Sequence, residues 1–294
     1  MTWKRVATAL VLIPVVVGLV LFTPTWAVAV ATAVITVLAL WEYFALGEAI
    51  GHRAYRVWTV CCALLLVGQT SGYRGTWFVT TLVPSDDPGV ARRMMQFLLT
   101  VYSPTTLFFF FVIGIAALSL WTRRPLVECL PAAGVSSSAL LLVAFPLSFA
   151  VPLHSIPTVG PKLLLFALVI TWAADTTAYF VGRAMGQHPL APHISPKKTW
   201  EGSIGSMVGS LIVAWAFSYW IRIPVGHLVA MAVIGNVAGQ MGDLLESAYK
   251  RSAGVEDSGG LLPGHGGVLD RIDALILCIP VIWYYVVLVN PGGV

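Results

Sequence analysis

The feature that most constrains this chain is a succession of apolar runs bounded by charge, proline or glycine. They span residues 6–22, 26–46, 56–70, 95–121, 132–153, 163–182, 203–221, 227–245 and 274–289. A bilayer core of about 30 Å takes about 20 apolar residues in one helix. The expected fold class is therefore all-α: a polytopic transmembrane helical protein of about nine spans, with eight as the nearest alternative count. Charge agrees, because only 10% of residues are charged and 58% are hydrophobic. A soluble domain carries about 25% charged residues, and a disordered chain is marked by low hydrophobicity. Eleven Trp and nine Tyr suit a protein with two membrane interfaces to anchor. The first run follows Lys4 and Arg5 as in a signal peptide. It lacks a small-x-small cleavage site and another run follows at once, so it reads as a retained span. The third run is short, and 71–93 has room for a re-entrant piece around Trp77–Val83.

Basic residues predict the orientation. With the N-terminus in the cytoplasm, Lys4, Arg5, Arg53, Arg56, Arg123, Arg124, Arg183, Lys197, Lys198, Lys250, Arg251 and Arg271 share that side. Arg74, Arg92, Arg93, Lys162 and Arg222 fall on the other. The positive-inside rule favours this arrangement. It also turns the two richest polar loops, 183–202 and 246–273, to the cytoplasm. The net charge of +4 is too small and too scattered to suggest nucleic acid. Cys61, Cys62, Cys129 and Cys278 form no CxxC pair, so they read as apolar packing residues and neither zinc nor a redox motif is indicated.

The acids are uneven. Residues 1–150 hold Glu42, Glu48, Asp86, Asp87 and Glu128, and the other eight lie between 175 and 273. The chain thus divides into N-terminal scaffold spans, 1–160, and a C-terminal region, 161–294, expected to carry a polar site at its cytoplasmic face. The densest stretch is 239–273. Asp243, Glu246, Ser247 and Lys250 share one helical face at i, i+3, i+4, i+7. Asp270 and Asp273 are again i, i+3, at the head of the last span. Acids at span ends are functional by default, and carboxylates from two helices could converge on one hard cation such as magnesium, which needs only one or two of them. Between them, Leu262–Pro263–Gly264–His265–Gly266–Gly267 offers glycine N–H groups to an anion. Lys250, Arg251 and Arg271 supply cations beside it. His265 either donates to phosphate or holds the turn, and Glu256, Asp257 and Ser258 read equally as a solvated loop.

A second stretch runs from Asp175 to Gly202. Asp175 sits inside the sixth run, where it faces a polar cavity or pairs with a buried partner; an intramembrane acid favours the cavity. Ser195–Pro196–Lys197–Lys198–Thr199–Trp200–Glu201–Gly202 reads as a basic loop entering a helix. Lys197 and Lys198 suit a phosphate or an anionic headgroup, beside the alternative of ordinary positive-inside charge. No Walker A, GxGxxG, GxSxG or HExxH pattern is present.

Residues 247–273 resemble the signature of the phosphatidate cytidylyltransferases, the CDP-diacylglycerol synthases. It is carried by Ser247, Lys250–Arg251, Asp257, Pro263–Gly264–His265–Gly266–Gly267 and Asp270–Arg271–x–Asp273. Asp175–Thr176 with Ala178–Tyr179 and Gly182–Arg183, and the segment 195–202, also look like that family. The specific resemblance covers about 171–273. One departure is Glu256–Asp257, where the family usually has Lys-Asp. The resemblance implies transfer of CMP from CTP to phosphatidic acid, giving CDP-diacylglycerol and pyrophosphate. It implies magnesium, with room for a second metal or a monovalent cation, held by Asp243, Asp270 and Asp273. Lys250 and Arg251 would act catalytically on phosphate. Ser195, Lys197, Lys198, Thr199, Ser247, His265, Gly266, Gly267, Arg271 and Asp175 would bind substrate. The implied setting is a bacterial-type inner membrane, and a homodimer would be consistent with the family. Two other functions remain in view: a CTP-dependent polyprenol or phytol kinase, and a transporter, which should show related halves.

Overall fold

The computed structural model describes residues 2–71, 89, 90, 93, 97, 100, 103–121, 125–261 and 266–289. Nine long helical stretches occur among them: α1 Thr2–Phe22, α2 Thr25–Ala49, α3 Arg56–Ser71, α4 Pro104–Trp121, α5 Leu126–His154, α6 Gly160–Met185, α7 Trp200–Ser218, α8 Val225–Ser252 and α9 Leu269–Val289. Six of these, α2, α4, α5, α6, α8 and α9, are long and apolar enough to cross a membrane by length and composition. The polytopic helical architecture expected from the apolar runs is therefore present. The re-entrant piece around Trp77–Val83 and most of the 95–103 part of the fourth run lie outside the described residues. So does His265.

The helices overrun their apolar runs. The eighth run ends at 245 but α8 continues to Ser252, and α9 starts five residues before its run, at Leu269. Polar residues at i, i+3 and i+4 continue the helical spacing, so the charged side chains of 239–273 stand mostly on helix ends. α5 is not one regular helix. It passes from a 3₁₀ turn at Leu126–Glu128 through α-helix to a π segment at Leu140–Ala144, then through two short α turns. Pro146 and Pro152 lack the N–H that an α-helix needs at those positions, and the looser winding absorbs the missing bonds.

The chain divides into two compact units: Thr25–Ser155, and Met1–Pro24 with Ile156–Val294. In the first, α2, α3 and α5 bury Leu40, Phe44, Leu66, Leu140 and Leu153. Tyr43 donates to Ser138 Oγ at 3.0 Å, and the Tyr55 N–H donates to Ser136 Oγ at 2.8 Å. In the second, α1 packs on α6, and α6, α7, α8 and α9 form a bundle around Phe166, Ile170, Leu228, Met231 and Ile282.

Two glycine seams set this bundle. Gly202, Gly205 and Gly209 on α7 lie against Ala178, Val181 and Thr177 of α6. Gly235, Gly239 and Gly242 on α8 lie against Cys278, Ala274 and Asp273 of α9. Small residues let helix backbones approach where lipid supplies no hydrophobic drive between helices. Cys62 and Cys278 are buried, and all four cysteines are free.

Between α6 and α7 the chain forms a hairpin, β1 Pro189–Ala191 and β2 Ser195–Thr199, antiparallel with Pro189 opposite Thr199 and Ala191 opposite Ser195. The basic loop expected at 195–202 is thus a short strand running directly into a helix.

Candidate active site

The hairpin is fixed at its base by two side chains of the next helix. Thr199 is the N-cap of α7, in extended conformation (φ −124°, ψ 156°), and its hydroxyl oxygen accepts the Gly202 N–H at 3.1 Å. Glu201, ahead of the apolar run 203–221, reaches back across the α6–β1 connection. One oxygen accepts the N–H groups of Gln187 and His188, at 3.2 and 3.3 Å, and the other lies 2.6 Å from His188 Nδ1. The bond from the His188 side chain is the main reason its carboxyl is pushed down to about 2. Glu201 therefore holds the hairpin.

Above this base a cavity of about 480 Å³ opens between α6, α7, α8 and β2. Asp175, Ser195, Lys197, Lys198, Thr199 and Asp243, all expected site residues, line it together with Tyr179 and Arg183. Asp175 thus takes the cavity-facing of its two readings. Lys198 Nζ lies 2.5 Å from Asp243 Oδ2. The two side chains form an ion pair between β2 and α8.

Asp273, one turn into α9, feels the charges of Asp243, Glu246 and Asp175. Gly242 makes this proximity possible, because it brings the α8 backbone onto the Asp273 carbonyl. Carboxylates from α6, α8 and α9 therefore share one electrostatic neighbourhood. Such hard oxygen donors suit a divalent cation that takes one or two carboxylates and fills its shell with water and phosphate. Among the described residues, no three His, Cys, Asp or Glu side chains form a ready-made metal-ligand group.

Asp270 has other surroundings. Its Oδ1 accepts from Lys250 Nζ at 2.7 Å, and its Oδ2 accepts from Ser258 N at 3.0 Å, Ser258 Oγ at 2.9 Å and Gly267 N at 2.7 Å. Lys250 also pairs with Glu246 at 2.7 Å, and the side chains of Glu246 and Asp270 are each only 5% exposed. Asp270 thus ties both ends of the signature loop to α8. Gly266 passes beneath it with φ +76°, a conformation that L side chains rarely adopt, and any Cβ there would press on Asp270 Oδ2.

The remaining expected residues lie around this centre and do not line the cavity. Ser247 is half-buried on α8. Arg251 donates from Nε to the Ile194 carbonyl at 3.4 Å and so ties the hairpin turn to α8. Arg271 is exposed at the head of α9, and its charge reaches Asp175.

The deep end of the cavity holds residues that the sequence reading passed over. Ser203, Ser206, Asn236 and Gln240 line it. Ser203 donates to Gln240 Oε1 at 2.5 Å, Gln240 Nε2 donates to Asn236 Oδ1 at 2.6 Å and to Ser206 Oγ at 2.9 Å, and Asn236 Nδ2 donates to Ser210 Oγ at 2.8 Å. Asn236 and Gln240 stand at i, i+4 in the run 227–245, one turn before Asp243, and that spacing was the available signal.

Comparison with known proteins places the chain in a family. A family model described as the cytidylyltransferase family matches residues 3–289. A phosphatidate cytidylyltransferase of Haemophilus influenzae is 32% identical over 292 residues, covering 96% of this chain and 97% of its own. Proteins of the same name from Staphylococcus aureus and Staphylococcus haemolyticus are 46% and 44% identical over 125 residues, 42% of this chain and 48% of theirs.

Proposed function

Because the chain belongs to the cytidylyltransferase family, we propose that it transfers CMP from CTP to phosphatidic acid, giving CDP-diacylglycerol and pyrophosphate. The observation that carries this reading is the cavity in which Lys197, Lys198 and Arg183 stand beside Asp175 and Asp243. Cations suit a triphosphate, and carboxylates suit the metal that accompanies it. In the reaction a phosphate oxygen of the lipid bonds to the α-phosphorus, and the bridging bond from that phosphorus to the β-phosphate breaks. A phosphate monoester has its second pKa near about 6, so the nucleophile is ionised near neutral pH and needs no general base. The barrier is the approach of two anions and the charge of the leaving group, which fixed cations lower by positioning and by electrostatics.

Lys197, Lys198 and Thr199 would meet phosphate at the cavity wall. Lys198 is already poised, because its contact with Asp243 is a charge pair that an incoming phosphate can share. Asp243 and Asp273 would hold magnesium, which would supply positive charge at the transferring phosphate and the leaving pyrophosphate. Asp270, with both oxygens committed to donors of the protein, would support that centre by holding Lys250 and the signature loop. The lipid's acyl chains would stay in the bilayer, with the headgroup at the cytoplasmic interface. A kinase acting on a lipid alcohol would need a base for the hydroxyl proton, and the Haemophilus influenzae relative, matched over 97% of its length, carries the phosphatidate cytidylyltransferase name instead.

The test uses purified protein in mixed micelles with magnesium and phosphatidic acid, given CTP labelled at the α or the γ phosphate. The α label should enter lipid while pyrophosphate is released. Entry of γ label into an alcohol lipid would instead establish a kinase.

A further inference from the structure

We propose that Ser203 and Gln240 are specificity residues that read the exocyclic amine of the cytosine base at the deep end of the cavity, with the triphosphate toward the hairpin. This rests on the cytidylyl transfer proposed above and adds where the base sits and what distinguishes it. The argument begins with protons. The Ser206 hydroxyl has the Ser203 carbonyl at 2.8 Å and Asn236 Oδ1 at 3.3 Å, and the nearer carbonyl takes its proton; Ser210 spends its own on the Ser206 carbonyl at 3.1 Å. Both hydroxyl oxygens can then only accept from the amides that face them. That fixes the amide orientations: Gln240 Nε2 points at Ser206, and Asn236 Nδ2 points at Ser210. The second proton of Gln240 Nε2 goes to Asn236 Oδ1, and the second proton of Asn236 Nδ2 goes to Ser206 Oγ at 3.3 Å. The Ser203 proton goes to Gln240 Oε1, and the Thr171 proton goes to the Leu168 carbonyl at 2.8 Å.

With these protons spent, what this end of the cavity still offers is lone pairs, on Gln240 Oε1 and Ser203 Oγ above all. The other end offers donors, Lys197 and Arg183. Ser203 lies four residues along α7 from Thr199, and Gln240 three residues along α8 from Asp243, so about one helical turn separates these acceptors from the hairpin end. A nucleotide that entered triphosphate-first would set its anions against acceptors. Entering base-first, it matches both ends. Cytosine presents a two-proton amine at C4, whereas uracil presents an acceptor carbonyl there. Acceptors held by a buried network cannot turn to suit uracil, so the array favours CTP over UTP.

The experiment measures kcat/KM for CTP and UTP with phosphatidic acid in mixed micelles, and the affinity of each nucleotide by calorimetry. It uses the wild type, Ser203→Ala and Gln240→Met. The wild type should prefer CTP. Each variant should lower the CTP-to-UTP ratio by about ten-fold, the worth of one hydrogen bond to a buried partner. A purely structural role would lower both nucleotides together, so an unchanged ratio in both variants overturns the proposal, as does a wild type indifferent to the base. Should Gln240→Met fail to fold, Ser203→Ala, which removes a single hydroxyl, decides the matter. If the wild type transfers nothing from CTP, the proposed activity fails, and the calorimetric ratio still tests the base reading by itself.

Discussion

Asp270 and Asp273 stand three residues apart on α9, yet their surroundings separate them. Asp270 has four protein donors on its two oxygens and a nearly dry pairing with Lys250. Asp273 accepts the Ala274 N–H at 2.7 Å and feels the negative charges of Asp243, Glu246 and Asp175. Removing one member of a buried ion pair costs about 3–5 kcal/mol, whereas removing one of several crowded carboxylates relieves repulsion. Asp270→Asn should therefore lower thermal stability in detergent markedly. Asp273→Asn should unfold at or above the wild-type temperature while losing more than about 100-fold in turnover, as expected when a charge-stabilising group is removed. Melting curves and turnover on the same preparations check both. A normally stable Asp270→Asn would sink the loop-tether reading, and near-normal turnover in Asp273→Asn would sink its place at the metal. The sequence announced both residues through the Asp-Arg-x-Asp spacing. It could not separate their roles, because the difference lies in what Ser258 and Gly267 donate to one of them, and a loop's return path has no periodicity to read.

At the scale of elements, the apolar runs marked the helices well, because the bilayer length is itself the signal. The helix ends were less visible. There the polar spacing of Asp243, Glu246 and Lys250 continued a helix that hydropathy had already closed. The hairpin at 189–199 was hidden by its brevity, and the π segment of α5 by its apolar composition. The Ser203–Gln240–Asn236 network was legible only in part: the i, i+4 spacing of Asn236 and Gln240 shows in the sequence, but their meeting with Ser203 depends on the convergence of α7 on α8. The glycine seams that create such convergence make a graded prediction. A Cβ at Gly242 would collide with the Asp273 backbone carbonyl, which cannot swing aside, while a Cβ at Gly239 would meet Ala274 at an ordinary 3.5–3.6 Å. Gly242→Ala should cost about 1–3 kcal/mol as overpacking and disturb turnover by moving Asp273. Gly239→Ala should be nearly silent in both unfolding and activity assays. Equal effects from the two would show that the seam does not set the register of α9.

At the scale of the whole molecule, the arrangement of charge predicts which way the cavity faces. α7 separates two chemically different ends by about 28 Å, from its nineteen residues at 1.5 Å each. At the hairpin end lie Arg183, Lys197, Lys198, Lys250, Arg251 and Arg271. At the other, Lys162 donates to the Trp220 carbonyl at 3.1 Å and lies 5.0 Å from the Trp220 ring, near Arg222. An aromatic ring with a cation against it suits a headgroup boundary, and the positive-inside rule predicts that the richer basic end faces the cytoplasm. His193 in the hairpin turn and Arg222 are both exposed, and neither is in the proposed machinery. In a background with all four native cysteines replaced by alanine, His193→Cys and Arg222→Cys can each be probed with a membrane-impermeant maleimide on spheroplasts of an expressing host. Arg222→Cys should label in intact spheroplasts, and His193→Cys only after permeabilisation. The reverse pattern would place the cavity mouth away from the nucleotide supply and would overturn the orientation together with the base-first entry of CTP from that side.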